Sequence, residues 1–240
     1  GDMGSVAMIE TEAGRGEAYA DDPVVGGYMV RSIRNNFSPE EYGKAITDCE
    51  QAKVRVMIVD SASHEWEGAG GVLSLAADNE EKGWKGQIVW TKPKMEHTRN
   101  FMLRLSQTSI DLVIICMRAK YPLVETRDEK GKKDMKRATV PSPKQSEDIL
   151  YEMFAHGWID REHRFHGTKY QTEAHRTAIP DGQVISIQTG QRLAAFAAEQ
   201  AAIAAPKPLS NGGPPLTDDL LSDEEIRADA GHTSYRCAHS

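Results

Sequence analysis

The chain has 240 residues, 39% hydrophobic and 27% charged, enough for one sizeable core and out of keeping with collagen-like or wholly disordered classes. No apolar run approaches the roughly 20 residues of a membrane-spanning helix, and the opening GDMGSVAMIETEAG lacks the basic leader and long apolar stretch of a secretory signal. Cys49, Cys116 and Cys237 give no metal-ligand spacing and cannot all pair, so a soluble protein of a reducing cytoplasm, without membrane contact, is expected.

In chain order, Val6 to Ile9 reads as a buried strand ending in the acids Glu10 and Glu12, followed by Gly14-Arg15-Gly16. Ser38-Pro39-Glu40-Glu41 carries an N-cap, a first-turn proline and a Glu three residues after the cap, and Tyr42, Ala45, Ile46, Cys49 and Ala52 recur at helical spacing. Val54 to Val59 is a second buried strand, ending in Asp60-Ser61. An amphipathic helix is expected over Lys92 to Gln107, and a third strand over Leu112 to Met117. The alternation predicts an α/β domain with a mainly parallel sheet, whose ligands sit beyond the carboxyl ends of the strands. That edge is where the acids fall.

The formal charge is −7, which opposes general binding to polyanions. From Arg118 to Lys144, however, nine cations face four acids, a local +5 that leaves −12 for the rest. This segment reads either as a solvated, disordered loop or as a phosphate contact. Beyond it, Ile149 to Asp160 and His163 to Tyr170 read as strands joined at Asp160-Arg161, with Val184 to Ile187 another β-branched stretch. His156, His163, His166 and His175 match no zinc spacing, and Asp160 and Glu162 read as turn residues. The division expected is a core over 1–190, an Ala-rich helix over 191–205, and a linker with an acidic, loosely ordered tail over 206–240, where only Leu216 to Ile226 suits a short helix.

Strand-terminal carboxylates suit magnesium binding and water activation, Asp60 as ligand and a neighbouring Glu as base. The run MIETEAGRGEAYADD, then an amphipathic helix, MIVDSASHEWEG, GW with a KPKM helix, and LVIICMRAKY resembles the RecA-like P-loop ATPases of bacteriophages and prophages, the AAA-domain phage nucleotide-binding proteins, some of them grouped with single-strand annealing recombinases. The resemblance spans Val6 to Ile187 and implies a RecA-like three-layer α/β sandwich binding ATP and Mg²⁺. It implies that Asp60 is the Walker B carboxylate serving Mg²⁺ with Ser61 beside it, that Glu12 activates water, and that Glu10 stands where relatives often carry Asp. Arg118 falls at the γ-phosphate sensor, with Lys120 as the alternative. The following loop, with Arg127, Lys130, Lys132, Lys133, Lys136 and Arg137, is where RecA-like proteins contact single-stranded DNA. Trp66, Trp84 and Trp90 flank the region of a second DNA-proximal loop, although packing is the expected role for at least two of them.

The implied function is ATP binding coupled to DNA recombination or replication in a bacterial host cytoplasm, in a homo-oligomer. The alternatives are a non-catalytic remnant or interaction scaffold, and a DNA-packaging motor ATPase. One departure is large. The phosphate-cradling G-x-x-x-x-G-K-[ST] is absent; Gly14-Arg15-Gly16 is too short, and Gly68-Ala69-Gly70-Gly71 lacks the Lys-Ser/Thr. The expectation is an N-terminally truncated chain missing its central first strand, with feeble or absent ATP hydrolysis.

Overall fold

A computed structural model describes residues 3–127 and 131–204; Lys130, the expected tail and the expected helix at Leu216 to Ile226 lie outside the described residues. Four strands form a parallel sheet in the order β2-β1-β3-β4: β1 (Val6–Glu10), β2 (Met29–Ser32), β3 (Val56–Asp60) and β4 (Leu112–Cys116). Strand β2 escaped the sequence reading because its run, Met-Val-Arg-Ser, is short and mixed. It lies at a sheet edge with its residues exposed or half-buried. Register aligns Glu10 with Asp60 and Asp60 with Cys116, so the carboxylates share the carboxyl edge.

Alternation then sorts the faces. Ala7, Ile9, Met57 and Val59 are buried on one face beneath α2 (Pro39–Gln51). That helix starts where the sequence dictates: the Ser38 hydroxyl accepts the Glu41 amide at 3.3 Å, Pro39 occupies the first turn, and Tyr42, Ala45, Ile46 and Cys49 point inward. Phe101 and Leu105 complete this core. The opposite face, with Val6, Met8, Val56, Ile58, Leu112 and Ile114, is only half-buried. The expected gap from a missing central strand is not there. Strands β1 and β3 are direct hydrogen-bonded neighbours, so the sheet is continuous and its free edges are the outer sides of β2 and β4.

Beside β1 lies α1 (Arg15–Ala20), and after β3 come α3 (Ser63–Glu67) and α4 (Val72–Glu81). The helix expected over Lys92 to Gln107 starts earlier and runs in three parts: α5 (Ile88–His97), a π-helical turn (Thr98–Met102) and α6 (Leu103–Ser106). Pro93 sits inside α5 and has no N–H for the carbonyl of Val89 one turn earlier. The buried Asn79 of α4 supplies the donor instead, its Nδ2 giving a hydrogen bond to Val89 O at 2.9 Å. The π turn passes so close to α2 that a Cβ on Gly43 would lie 2.7 Å from the Asn100 carbonyl oxygen.

The basic segment is not the loop that its charge suggested. It contains β5 (Ala119–Lys120), β6 (Leu123–Arg127), β7 (Lys133–Arg137) and β8 (Ser142–Pro143), paired antiparallel as β5–β8 and β6–β7. Leu123, Val124 and Thr126 supply strand-forming side chains, and Gly131 takes a positive φ of 76° before β7.

The strand expected over Ile149 to Asp160 is also corrected. Its first part is a helix, α7 (Asp148–Glu152), and only β9 (Ala155–Ile159) is extended. Ile149, Leu150 and Met153 stand at helical spacing and pack on the core, which decides the conformation. Strand β10 (Phe165–Tyr170) pairs with β9, and the Asp160 carboxylate closes the connection by accepting the Glu162 and Arg164 amides at 2.9 and 2.8 Å. Val184 makes one isolated bridge to Arg164 and Ile187 opens a helix, so no strand spans Val184 to Ile187. The last described elements are α8 (Glu173–Ala178) and α9 (Ile187–Ala204), the latter longer at its start than the expected Ala-rich helix.

Candidate functional site

Three carboxylates gather at the carboxyl edge of β1 and β3, and their surroundings give each a different state. Glu10 is 1% exposed and turned onto its own chain. Its Oε1 accepts the Glu12 amide at 2.7 Å, and both oxygens accept the Gly14 amide at 3.1 Å. Gly16 lies directly above it: a Cβ there would collide with Met8 Sδ and come 2.7 Å from Glu10 Cγ. Glu10 is therefore the acceptor that satisfies the turn before α1, and those amides are closed to a phosphate.

Glu12 is bound on two sides. Arg118, two residues beyond β4, donates from Nη2 at 2.7 Å and from Nε at 3.1 Å, and the Ser61 hydroxyl donates at 3.1 Å. These interactions, Arg118 foremost, hold the Glu12 carboxyl below the usual glutamate value against its partial burial. Arg118 is fixed at its backbone too, its amide donating to Ser63 Oγ at 2.9 Å.

Asp60 has the reverse situation. Burial, then the negative charges of Glu12 and Glu10, push its carboxyl up. Its backbone carbonyl accepts the Thr11 amide at 2.8 Å, but its carboxylate is not among the hydrogen-bonded groups of the described residues. A partly desolvated carboxylate beside two others is a group that a cation would stabilise. No cluster of three or more His, Cys, Asp or Glu side chains is placed to hold a metal among the described residues.

Residues the sequence did not single out tie β1 to β3. The Thr11 hydroxyl accepts the Ser61 amide at 2.7 Å and lies 2.8 Å from His64 Nδ1, while the buried Tyr42 hydroxyl donates to Ser61 O at 2.6 Å. The Asp60–Ser61 peptide is cis. His64 stacks on Phe37 with centroids 4.8 Å apart and lies 3.9 Å from Glu12, and burial followed by the Arg118 charge lowers its pKa. The available signal was the Thr between two Glu residues and a His four positions after Asp60.

Thus Glu12, Ser61 and Arg118 come into contact, with Asp60 and Glu10 beside them. Lys120 does not join them. It lies on β5 and lines a separate cavity with Trp66 and Trp90. Neither indole is fully buried, and Trp84 is 42% exposed. In the β6–β7 hairpin, cross-strand register puts Arg127, Lys133 and Arg137 on one face with Glu125, and Lys136 on the other with Asp134. Lys133 pairs with Glu125 at 3.0 Å, Lys136 with Asp134 at 3.7 Å, and Arg137 Nη1 donates to Tyr121 O at 3.4 Å; Lys132 directly precedes β7. Of the histidines, His166 bonds Asp160 at 2.8 Å and His156 lies 2.7 Å from the Thr168 hydroxyl.

No protein-family model, curated protein or solved structure matches the chain.

Proposed function

We propose that the carboxylate edge of β1 and β3 is the magnesium and water-activating part of a RecA-like ATP-binding protein that acts on DNA in recombination or replication. The observation that carries the reading is the pairing itself. Asp60 and Glu12 stand at the ends of adjacent parallel strands, the first with a free carboxylate and the second in the grip of an arginine.

Magnesium fits the residues present. Mg²⁺ binds through one or two carboxylates and completes its shell with water and phosphate oxygens, and Asp60 offers such an oxygen ligand. Bound there, the ion would supply charge neutralisation. The triphosphate does not fit this chain alone: the Walker A motif is missing and the Glu10 carboxylate occupies the amides before α1. In this reading the cradle is supplied by another segment, and among the described residues the outer edges of β2 and β4 are where a further strand would join.

Arg118 suppresses the basicity of Glu12 while the two are paired, and an anion that draws Arg118 away raises that basicity. The arrangement therefore links arrival of negative charge to the appearance of a general base. The hairpin face with Arg127, Lys133 and Arg137 is the DNA contact in this reading. A second reading, a non-catalytic scaffold, is favoured by the Glu10 closure of the Gly14-Arg15-Gly16 turn.

A titration of the folded chain with a fluorescent ATP analogue, with and without Mg²⁺, tests the proposal. Saturable Mg²⁺-dependent binding that is lost in Asp60→Ala is expected. A folded sample that binds nothing, or binds equally without Mg²⁺ and in Asp60→Ala, would falsify the ATP-site reading and leave the scaffold.

A further inference from the structure

The rod formed by α5, the π-helical turn and α6 buries one side, with Val89, Pro93, Phe101 and Leu105, and leaves the other open. Along the open side Ile88, Lys92, Met95, Arg99 and Leu103 follow one another at spacings of four, three, four and four residues, the interval at which helical side chains share a face. All five are exposed, Ile88 by 57%, Met95 by 65% and Leu103 by 43%. The π-helical turn decides which residue ends the row. Its wider winding takes roughly one residue more per turn, so Met102 is turned onto the core and Leu103 carries the row on. Single exposed aliphatic side chains are ordinary, but three aligned on one rod form a patch that marks an interaction surface.

Charge singles out the same rod. Between Lys82 and Leu103 stand five cations, Lys82, Lys85, Lys92, Lys94 and Arg99, and one acid, Glu96, a local +4 in a chain of net charge −7. None of the five cations has an ion-pair partner among the described residues, while Glu96 is engaged by Asn100 Nδ2. Cations and aliphatic side chains alternate within one row, and that order selects the partner. A helix lying on a lipid surface keeps its cations and its apolar groups on separate faces; here they share a face, and the opposite one is buried in the core. A polynucleotide would pair the cations but leave Ile88, Met95 and Leu103 without the stacked aromatic contact that its bases make. A second copy packed about a two-fold axis would set Lys92 and Arg99 against like charges. An acidic amphipathic helix meets both demands: its apolar side chains recur at the same interval and cover the aliphatic three, and its carboxylates stand between them against Lys92 and Arg99.

We propose that this row is the docking surface for an acidic amphipathic helix of a partner protein, held by aliphatic contact at Ile88, Met95 and Leu103 and by carboxylates at Lys92 and Arg99. None of these residues belongs to the carboxylate edge, and the contact needs neither metal nor nucleotide. The inference goes beyond the ATP reading and does not depend on it.

The probe is a fluorescein-labelled synthetic peptide of three heptads, with leucine at the two core positions and glutamate at the flanking ones. It is titrated with the full chain in EDTA, without nucleotide, and read by fluorescence anisotropy. Saturable binding is expected. Met95→Asp, at an exposed position tolerant of substitution, weakens it on the order of tenfold. The double variant Lys92→Glu, Arg99→Glu loses the glutamate peptide and gains affinity for one with the same leucines and lysine in place of glutamate, a rescue that misfolding does not give. A glutamate peptide whose leucines are replaced by serine binds more weakly, again on the order of tenfold. No saturable binding of the leucine–glutamate peptide, equal affinity for the serine peptide, or an affinity unmoved by both Met95→Asp and the charge reversal overturns the proposal. Binding of phosphatidylglycerol vesicles or of a single-stranded oligonucleotide that is lost in Met95→Asp, while the peptide does not bind, overturns it too, in favour of a lipid or a polynucleotide contact.

Discussion

Replacing Asn79 by Ala removes the side chain that stands in for a backbone donor. Pro93 cannot bond the Val89 carbonyl, and Asn79 Nδ2 does so at 2.9 Å in a place where Asn79 is 7% and Val89 1% exposed. A buried carbonyl left unsatisfied costs about 1–3 kcal/mol, so Asn79→Ala is expected to lower unfolding stability by about 2 kcal/mol. The cause can be isolated. In a Pro93→Ala background the residue at 93 regains an N–H for Val89, so loss of Asn79 should cost less than half as much. Packing lost with the Asn side chain is common to both backgrounds and cancels in the cycle. Urea unfolding of the four proteins gives the coupling directly, expected at about 1 kcal/mol, inside the range for residues sharing one network. Equal costs in the two backgrounds, within about 0.5 kcal/mol, would show that Asn79 does not serve the proline-broken turn. The turn matters because α5 carries both Trp90 and His97.

Two further outcomes concern the carboxylate edge. Glu12 is held below its ordinary 4.5, chiefly by Arg118, so it contributes stability above the unfolded value that acid removes as the pH falls through the folded one. Arg118→Ala should flatten the acid limb of a stability-against-pH curve, by at most about 1 kcal/mol because Arg118 is half-exposed; an unchanged limb would refute the pair's role. Asp60, raised by burial and by Glu12 and Glu10, should behave oppositely: Asp60→Asn raises the unfolding free energy at neutral pH, read from urea unfolding, by a few tenths of a kcal/mol while abolishing Mg²⁺-dependent nucleotide binding, and a clear loss of stability would argue that the carboxylate is structural.

The parallel sheet was legible because buried strands such as Val6 to Ile9 and Val54 to Val59 are continuous apolar runs, and α2 because Ser38-Pro39 and the spacing of Tyr42, Ala45, Ile46 and Cys49 are local signals. Strand β2 was not, since an edge strand needs little apolar content. The basic segment misled through its charge: alternating side chains in an antiparallel pair leave lysines in solvent whether or not the backbone is ordered. In the site, Glu12, Asp60, Ser61 and Arg118 converge because strand ends in a parallel sheet share one edge. The roles of Glu10 and Lys120 depended on side-chain direction, which spacing does not encode. The Glu65–His97–Gln145 network joins residues 32 and 80 positions apart, and nothing local in the sequence marks it.

Among the described residues, the carboxylate edge and the end of α5 depart from full pairing in different ways. At the carboxylate edge, burial and like charge accumulate on Asp60 while Glu10 is hydrogen-bonded by amides and Glu12 by Arg118, an imbalance that a divalent cation would relieve. At the end of α5, an imidazole is oriented by the buried Glu65 carboxylate while its Nε2 is enclosed without a partner. Random imperfection in packing would scatter unpaired groups over the interior. Here every other fully buried side-chain nitrogen and oxygen of the described residues finds a partner, so the unpaired Nε2 is the local cost of orienting the His97 ring on Glu65.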